Sequence, residues 1–194
     1  LVGRRVPAPS HFAWLQVGIG AGALRMVPAF ETMPEVFVRA FRMSASPAFL
    51  HATQFGISLA LMLVPTLLIG ATFPCAVRIV TGSLDRVGRD IGRVYALNTI
   101  GAIAGTVAAG FMLVPTLGLQ GTIKAGILVN FGAGALLLAV AGAHAGAWRL
   151  AALAAIPVGL ATGTAWIPEW NRFLMTSGAA IYSQRFAGMP AGGG

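Results

Sequence analysis

Formal charge leaves four long gaps in this sequence, and those gaps restrict the fold more than any other feature. No Asp, Glu, Lys or Arg occurs from Met43 to Val77, from Val94 to Ile123, from Ala125 to Trp148, or from Leu150 to Pro168. A helix needs about 20 mostly apolar residues to cross the hydrocarbon core of a bilayer, and each gap supplies that length or nearly so. Soluble domains carry about 25% charged residues because their surfaces face water. This chain is 57% hydrophobic and 9% charged, too little to cover a water-facing surface of ordinary polarity. The same hydrophobicity excludes a disordered chain. Backbone groups in lipid must be satisfied within the segment, which favours helices. The two-residue alternation of a membrane β-strand is missing, for example across Ala102 to Ala109.

The expected fold is therefore all-α: a polytopic membrane helical bundle of about five transmembrane helices. Residues 1–11 form an N-terminal flank and 12–167 the transmembrane domain, with spans at 12–30, 50–77, 94–117, 122–143 and 149–167. The first span holds Gln16 and Arg25, the latter near enough to its end to snorkel. Pro65 and Pro74 are expected to kink the second. The short turn Gly118-Leu119-Gln120-Gly121 predicts that the third and fourth spans form an antiparallel hairpin. Between the first two spans, Pro34 can open a helix, and Glu35 and Arg39 stand i,i+4. Residues 34–44 read as an interfacial amphipathic helix or an ordered loop. Residues 168–194 are a tail, and both chain ends look like cuts through a longer polypeptide. No signal-peptide h-region follows Arg4 and Arg5.

Net charge is +8. A soluble protein this basic would suggest nucleic acid, but here the arginines sit between apolar runs and set orientation instead. Arg78, Arg86, Arg89 and Arg93 follow the second span, which places that loop in the cytoplasm. Arg4, Arg5 and Arg149 fall on the same side; Arg39, Arg42, Lys124, Arg172 and Arg185 fall opposite. Glycines recur four apart at Gly18/Gly22, Gly101/Gly105, Gly142/Gly146 and Gly159/Gly163, a spacing that lets helices approach closely. Gly101/Gly105 stands out because Ala109 prolongs its small face. Its expected role is packing within the bundle, with oligomer contact as the alternative.

Catalytic signals are weak. His11, His51 and His144 lie far apart without a carboxylate at ligand spacing, and read as interfacial or capping residues. Cys75, the single cysteine, reads as a small packing residue. No acid lies deep in a span, so a carboxylate proton relay is unsupported. Gly192-Gly193-Gly194 has no following helix to hold a phosphate. No metal or cofactor site is expected. Asn98 inside the third span needs a polar partner, with interhelical hydrogen bonding preferred over substrate contact, and Tyr95 suits the membrane interface.

Two motifs carry a resemblance. Gly82-Ser83-Leu84-Asp85-Arg86-Val87-Gly88-Arg89 resembles the loop that joins the second and third helices of major facilitator transporters, one residue short between leucine and aspartate. Charge-assisted bonds among Asp85, Arg86 and Arg89 would fix two helices there. More broadly, Pro65 to Pro74, then Gly92-Arg93-Val94-Tyr95-Ala96-Leu97-Asn98-Thr99-Ile100-Gly101-Ala102, with Gly105, Gly110-Phe111, Pro115 and Gly118-Leu119, resembles the membrane domain of spermidine-synthase-like (fused major-facilitator/spermidine-synthase) membrane proteins. The match covers about residues 50–135 and continues thinly through Trp170, Asn171, Leu174, Ser177-Gly178 and Tyr182.

The resemblance implies a facilitator-like bundle in the inner (cytoplasmic) membrane of a bacterium, with an aminopropyltransferase-like transferase domain in the parent. Only twelve residues follow Tyr182, so the family's nucleotide loop and acidic residues have no counterparts and no catalytic residue carries over. The expected function is an anchor or scaffold without its own active site, partnered by the lipid bilayer and by protein partners or further copies of itself, not by nucleic acid. The alternatives are a transporter-type module for a small polar or cationic solute, or an accessory subunit of a larger membrane complex. One tension remains: three spans after the arginine loop put the tail from Glu169 outside the cytoplasm, the wrong side for a domain using a cytosolic nucleoside.

Overall fold

The computed structural model describes residues 8–81, 86–141 and 170. Every element among them is helical: α1 (Ala8–Met43), α2 (Pro47–Val80), α3 (Val87–Ala108), a π-helical turn (Ala109–Leu113) and α4 (Val114–Ala141). The expected first span and the expected interfacial helix 34–44 are one object. Helix α1 runs through both, with Pro28 and Pro34 inside it. It stops at Ser44-Ala45-Ser46, where Ser46 adopts extended geometry and Pro47 opens α2, because the fixed proline φ suits a first helical turn whose N–H has no partner anyway.

Helix α2 is unbroken across Pro65 and Pro74. The loss of helical order comes later, around Pro115. That proline cannot donate to a carbonyl in the preceding turn, and its ring would collide with that carbonyl. The backbone widens before it: the Val114 N–H reaches Ala109 O, five residues back, as a π-turn does. Three residues on, Gly118 takes φ 72° and ψ 174°, a region open essentially to glycine alone. The chain thus breaks where the glycine turn was expected.

Helix α4 nonetheless does not close a hairpin on α3. It packs on α1, as α2 does, while α3 packs on α2. The physical reason lies in the glycines of α1. A Cβ on Gly18 would stand 3.1 Å from Leu68 Cδ1 and one on Gly22 3.2 Å from Pro65 Cγ, so this face receives α2. A Cβ on Gly20 would meet the Phe131 ring at 2.5 Å, and one on Gly134 would meet Val17 Cγ2 at 2.9 Å and Ala13 O at 3.1 Å. Both contact sets descend on one partner as they ascend on the other, so α2 and α4 each run antiparallel to α1.

The core is small: Val27, Ile127 and Phe131, flanked by Val17, Ala23, Leu24, Ile123 and Trp170. Helices α2 and α3 contain no buried residue. Two helical stretches among the described residues, Pro47–Val80 and Val87–Val140, are long and apolar enough to cross a membrane, with mean hydropathies of 2.0 and 1.9. They contain the expected spans 50–77 and 94–117 and most of 122–143. The expected first span, carrying Gln16 and Arg25, is not among them, and 149–167 lies outside the described residues.

Candidate functional site at the arginine turn

Helix α2 brings Arg78 to its last turn, and α3 starts with Arg86 at its N-cap. Arg89 and Arg93 follow at three and seven residues. At 100° per residue these positions put Arg86, Arg89 and Arg93 on one face of the first two turns. All four arginines are exposed, and Asp90 is half-buried. None of these charges enters an ion pair among the described residues, whereas Arg39 does pair with Glu35 at 3.2 Å through the expected i,i+4 spacing. Asp85, the acid expected to clamp the turn, lies outside the described residues together with Gly82, Ser83 and Leu84. His11 and His51 are both exposed, and His144 lies outside the described part.

One turn beyond the arginines, Tyr95 and Phe73 meet edge to face, with ring centroids 6.4 Å apart and planes at 86°. This aromatic pair joins α3 to α2 and leaves Tyr95 64% exposed. An amphipathic ring half in the open at a helix end is the arrangement expected at a water–lipid boundary.

Asn98 is exposed on α3 and makes no hydrogen bond among the described residues, so the interhelical bond expected for it is not formed among them. Nothing approaches within 4 Å of a Cβ placed on Gly101 or Gly105, and both are exposed. Among the described residues the close approaches fall at Gly18, Gly20 and Gly22 rather than at Gly101/Gly105. Asn98, Gly101 and Gly105 all lie on α3, which has no buried position and packs on α2, and among the described residues no helix covers the face that carries them.

Other polar groups in the apolar stretches look inward to their own backbone. Thr99 Oγ1 donates to Tyr95 O at 2.9 Å, Thr106 to Ala102 O at 2.8 Å, Thr122 to Gly118 O at 2.8 Å, and the Asn130 amide to Gly126 O at 2.9 Å. Such back-bonding satisfies a hydroxyl where water is absent.

No family model, curated protein or solved structure matches the chain. No group of three His, Cys, Asp or Glu that could hold a metal occurs among the described residues.

Trp170 escaped the sequence reading, which placed it at the start of the tail. It docks back on the bundle instead. Its backbone N–H donates to Gln120 Oε1 at 3.1 Å, its indole Nε1–H donates to Val27 O at 3.0 Å, and its ring meets Phe30 edge-on at 5.5 Å. The available signal was chemical: an indole N–H must find an acceptor when it is taken from water, and Gln120 is a polar side chain in an otherwise apolar turn.

Proposed function

We propose that this chain is a membrane-embedded helical anchor and scaffold, the membrane module of a spermidine-synthase-like protein of the bacterial inner membrane, with no active site of its own. The observation that carries the membrane half is the distribution of exposure along α2. None of its apolar window is buried, and only 17% of that in Val87–Val140 is. The apolar core helix of a soluble protein passes the same length and hydropathy test by being mostly buried, which these are not. Phe55, Met62, Leu67, Ile100, Ile103 and Phe111 instead point outward, Phe111 at 81% exposure. An apolar surface this extended is unstable in water and ordinary in lipid. The enzymatic kinship rests on the motifs from Pro65 to Leu119 and on nothing else.

The decisive experiment has two arms. Expressed chain should sediment with membranes and resist alkaline carbonate extraction, and should show no aminopropyl transfer from a nucleoside donor. Folded monomer in detergent-free buffer would overturn the membrane reading, and clear turnover would overturn the scaffold reading.

A second reading, a transporter-type module for a small polar or cationic solute, is favoured by one feature. The π-turn Ala109–Leu113 and the break at Gly118 interrupt the apolar stretch Val87–Val140, and interrupted helices line sites in many transporters. Solute flux in liposomes that depends on Asn98 or Arg89 would select it.

A further inference from the structure

We propose that the bundle meets one of its two water–lipid boundaries at Trp170, and that beyond it the ends of α1 and α2, residues 31–55, stand in water as a helical hairpin. The inference rests on the membrane reading above and adds to it which part lipid holds and which part meets water on that side.

Close contacts fix the heights of the helices relative to one another. Leu68 lies against Gly18 and Pro65 against Gly22. Counting outward along this antiparallel pair, Phe73 stands level with Ala13, and His51 level with Glu35. Phe73 meets Tyr95 of α3, which gives one aromatic layer. Trp170 meets Phe30 and donates to Val27 O, which gives another. From Ala13 to Phe30, at 1.5 Å per residue, the two layers are about 25 Å apart. The hydrocarbon core of a bilayer is about 30 Å thick, and Trp and Tyr gather at both of its edges, where an indole can be apolar on one side and wet on the other. Met62, Leu63, Leu67, Ile100 and Ile103 all fall between the layers, and all are exposed.

The two helices are too long for that thickness. Helix α1 has 36 residues and α2 has 34, so each runs for more than about 50 Å. To fit a core of about 30 Å by tilting alone, either would have to lean by more than about 50°, whereas spanning helices lean by at most about 40°. The excess emerges beyond Trp170. There α1 carries Glu31, Glu35, Arg39 and Arg42, all exposed. Glu35 and Arg39 pair at 3.2 Å with side chains 71% and 76% exposed. Charged side chains are expensive in hydrocarbon, so this stretch belongs in water. The start of α2 carries no formal charge, but it lies alongside and supplies His51 and Gln54. Neither helix is interrupted between the Trp170 layer and the tip, and Ala40, close to the tip, is still buried. From Glu31 to Met43 the hairpin rises about 18 Å above the boundary.

The test is cysteine labelling of the full chain in lipid nanodiscs, whose two faces are both open to water. Cys75, the one cysteine, is first replaced by serine, and single cysteines are then placed at exposed positions in two pairs. Glu35→Cys and His51→Cys report on the hairpin; Ala21→Cys and Met62→Cys report on the same two helices below Trp170. A membrane-impermeant maleimide is expected to label the first pair to completion and the second only after the lipid is dissolved in detergent, because a thiol reacts through its thiolate, which needs water. Protection of Glu35→Cys and His51→Cys equal to that of Ala21→Cys and Met62→Cys would overturn the hairpin and leave the membrane reading standing. Full labelling of all four in intact nanodiscs would overturn the membrane reading itself.

Discussion

Gly20 offers the sharpest test of how this bundle is held together. Replacing it with alanine puts a methyl group 2.5 Å from Phe131 Cε2, 2.6 Å from Cδ2 and 3.0 Å from Cζ. Carbon atoms in contact prefer about 3.5–4.0 Å, so the ring or the helix must move by about 1 Å. The ring has little freedom: Phe131 is 4% exposed and packs with Val27 and Ile127 in the core. Overpacking of this kind costs about 1–3 kcal/mol, while alanine gains about 1 kcal/mol over glycine in a helix interior. Gly101→Ala supplies the reference, because it takes the propensity gain and meets nothing within 4 Å. The stability difference between the two variants is therefore the steric term alone, about 1–3 kcal/mol against Gly20→Ala. Equilibrium unfolding in mixed micelles, followed by far-UV circular dichroism, measures it. Phe131→Leu should relieve the clash, giving a coupling energy of about 0.5–3 kcal/mol in the double variant. Equal stability of Gly20→Ala and Gly101→Ala, or strict additivity with Phe131→Leu, would refute the close approach of α4 to α1.

Three further outcomes can be checked by the same unfolding measurement. Gly118→Ala should lower stability by about 1–3 kcal/mol, because a side chain at φ 72° and ψ 174° is strained although the surrounding space is open. Trp170→Phe keeps an aromatic ring beside Phe30 but removes the indole donor to Val27 O; a loss of about 0.5–1.5 kcal/mol is expected, and none would mean the docking is incidental. Asn98→Leu should change monomer stability by less than about 0.5 kcal/mol, since its side chain is exposed and bonds to nothing described. A larger drop would reveal a partner for that amide, in another copy or in the segment beyond Ala141.

Much of the architecture was legible because hydropathy and length are properties of a segment taken alone. The charge-free gaps ending at Val77 and starting at Val94 mark α2 and α3, and Gly118 marks the break after them. Helix α1 was divided too finely. Pro34 with Glu35 and Arg39 resembles a helix start, and the structure simply continues the helix through it. An interior proline costs about 3 kcal/mol, and a helix supported along its length by α2 and α4 can absorb that cost, a circumstance that no local window of sequence contains.

The glycines carry the deeper lesson, because two identical patterns took opposite roles. Gly18/Gly22 and Gly101/Gly105 have the same spacing and sit in equally apolar, alanine-rich surroundings. The first pair receives Leu68 and Pro65, whereas the second faces open space. What separates them is position in the bundle: among the described helices, α1 is flanked by two antiparallel neighbours, whereas α3 packs on α2 alone of the long helices. Small faces permit close approach and do not by themselves cause it, since in lipid no hydrophobic force pulls helices together. Partner choice therefore depends on shape on both sides. The Phe131 ring needs the room that Gly20 leaves, and Gly134, three residues further along α4, gives equivalent room to Val17 and the Ala13 carbonyl. Such reciprocal pairs, a bulky group on each helix facing a glycine on the other, fix both register and partner. Helix α3 presents the glycines without a bulky group to fill them among the described residues, and among those its small face stays unclaimed.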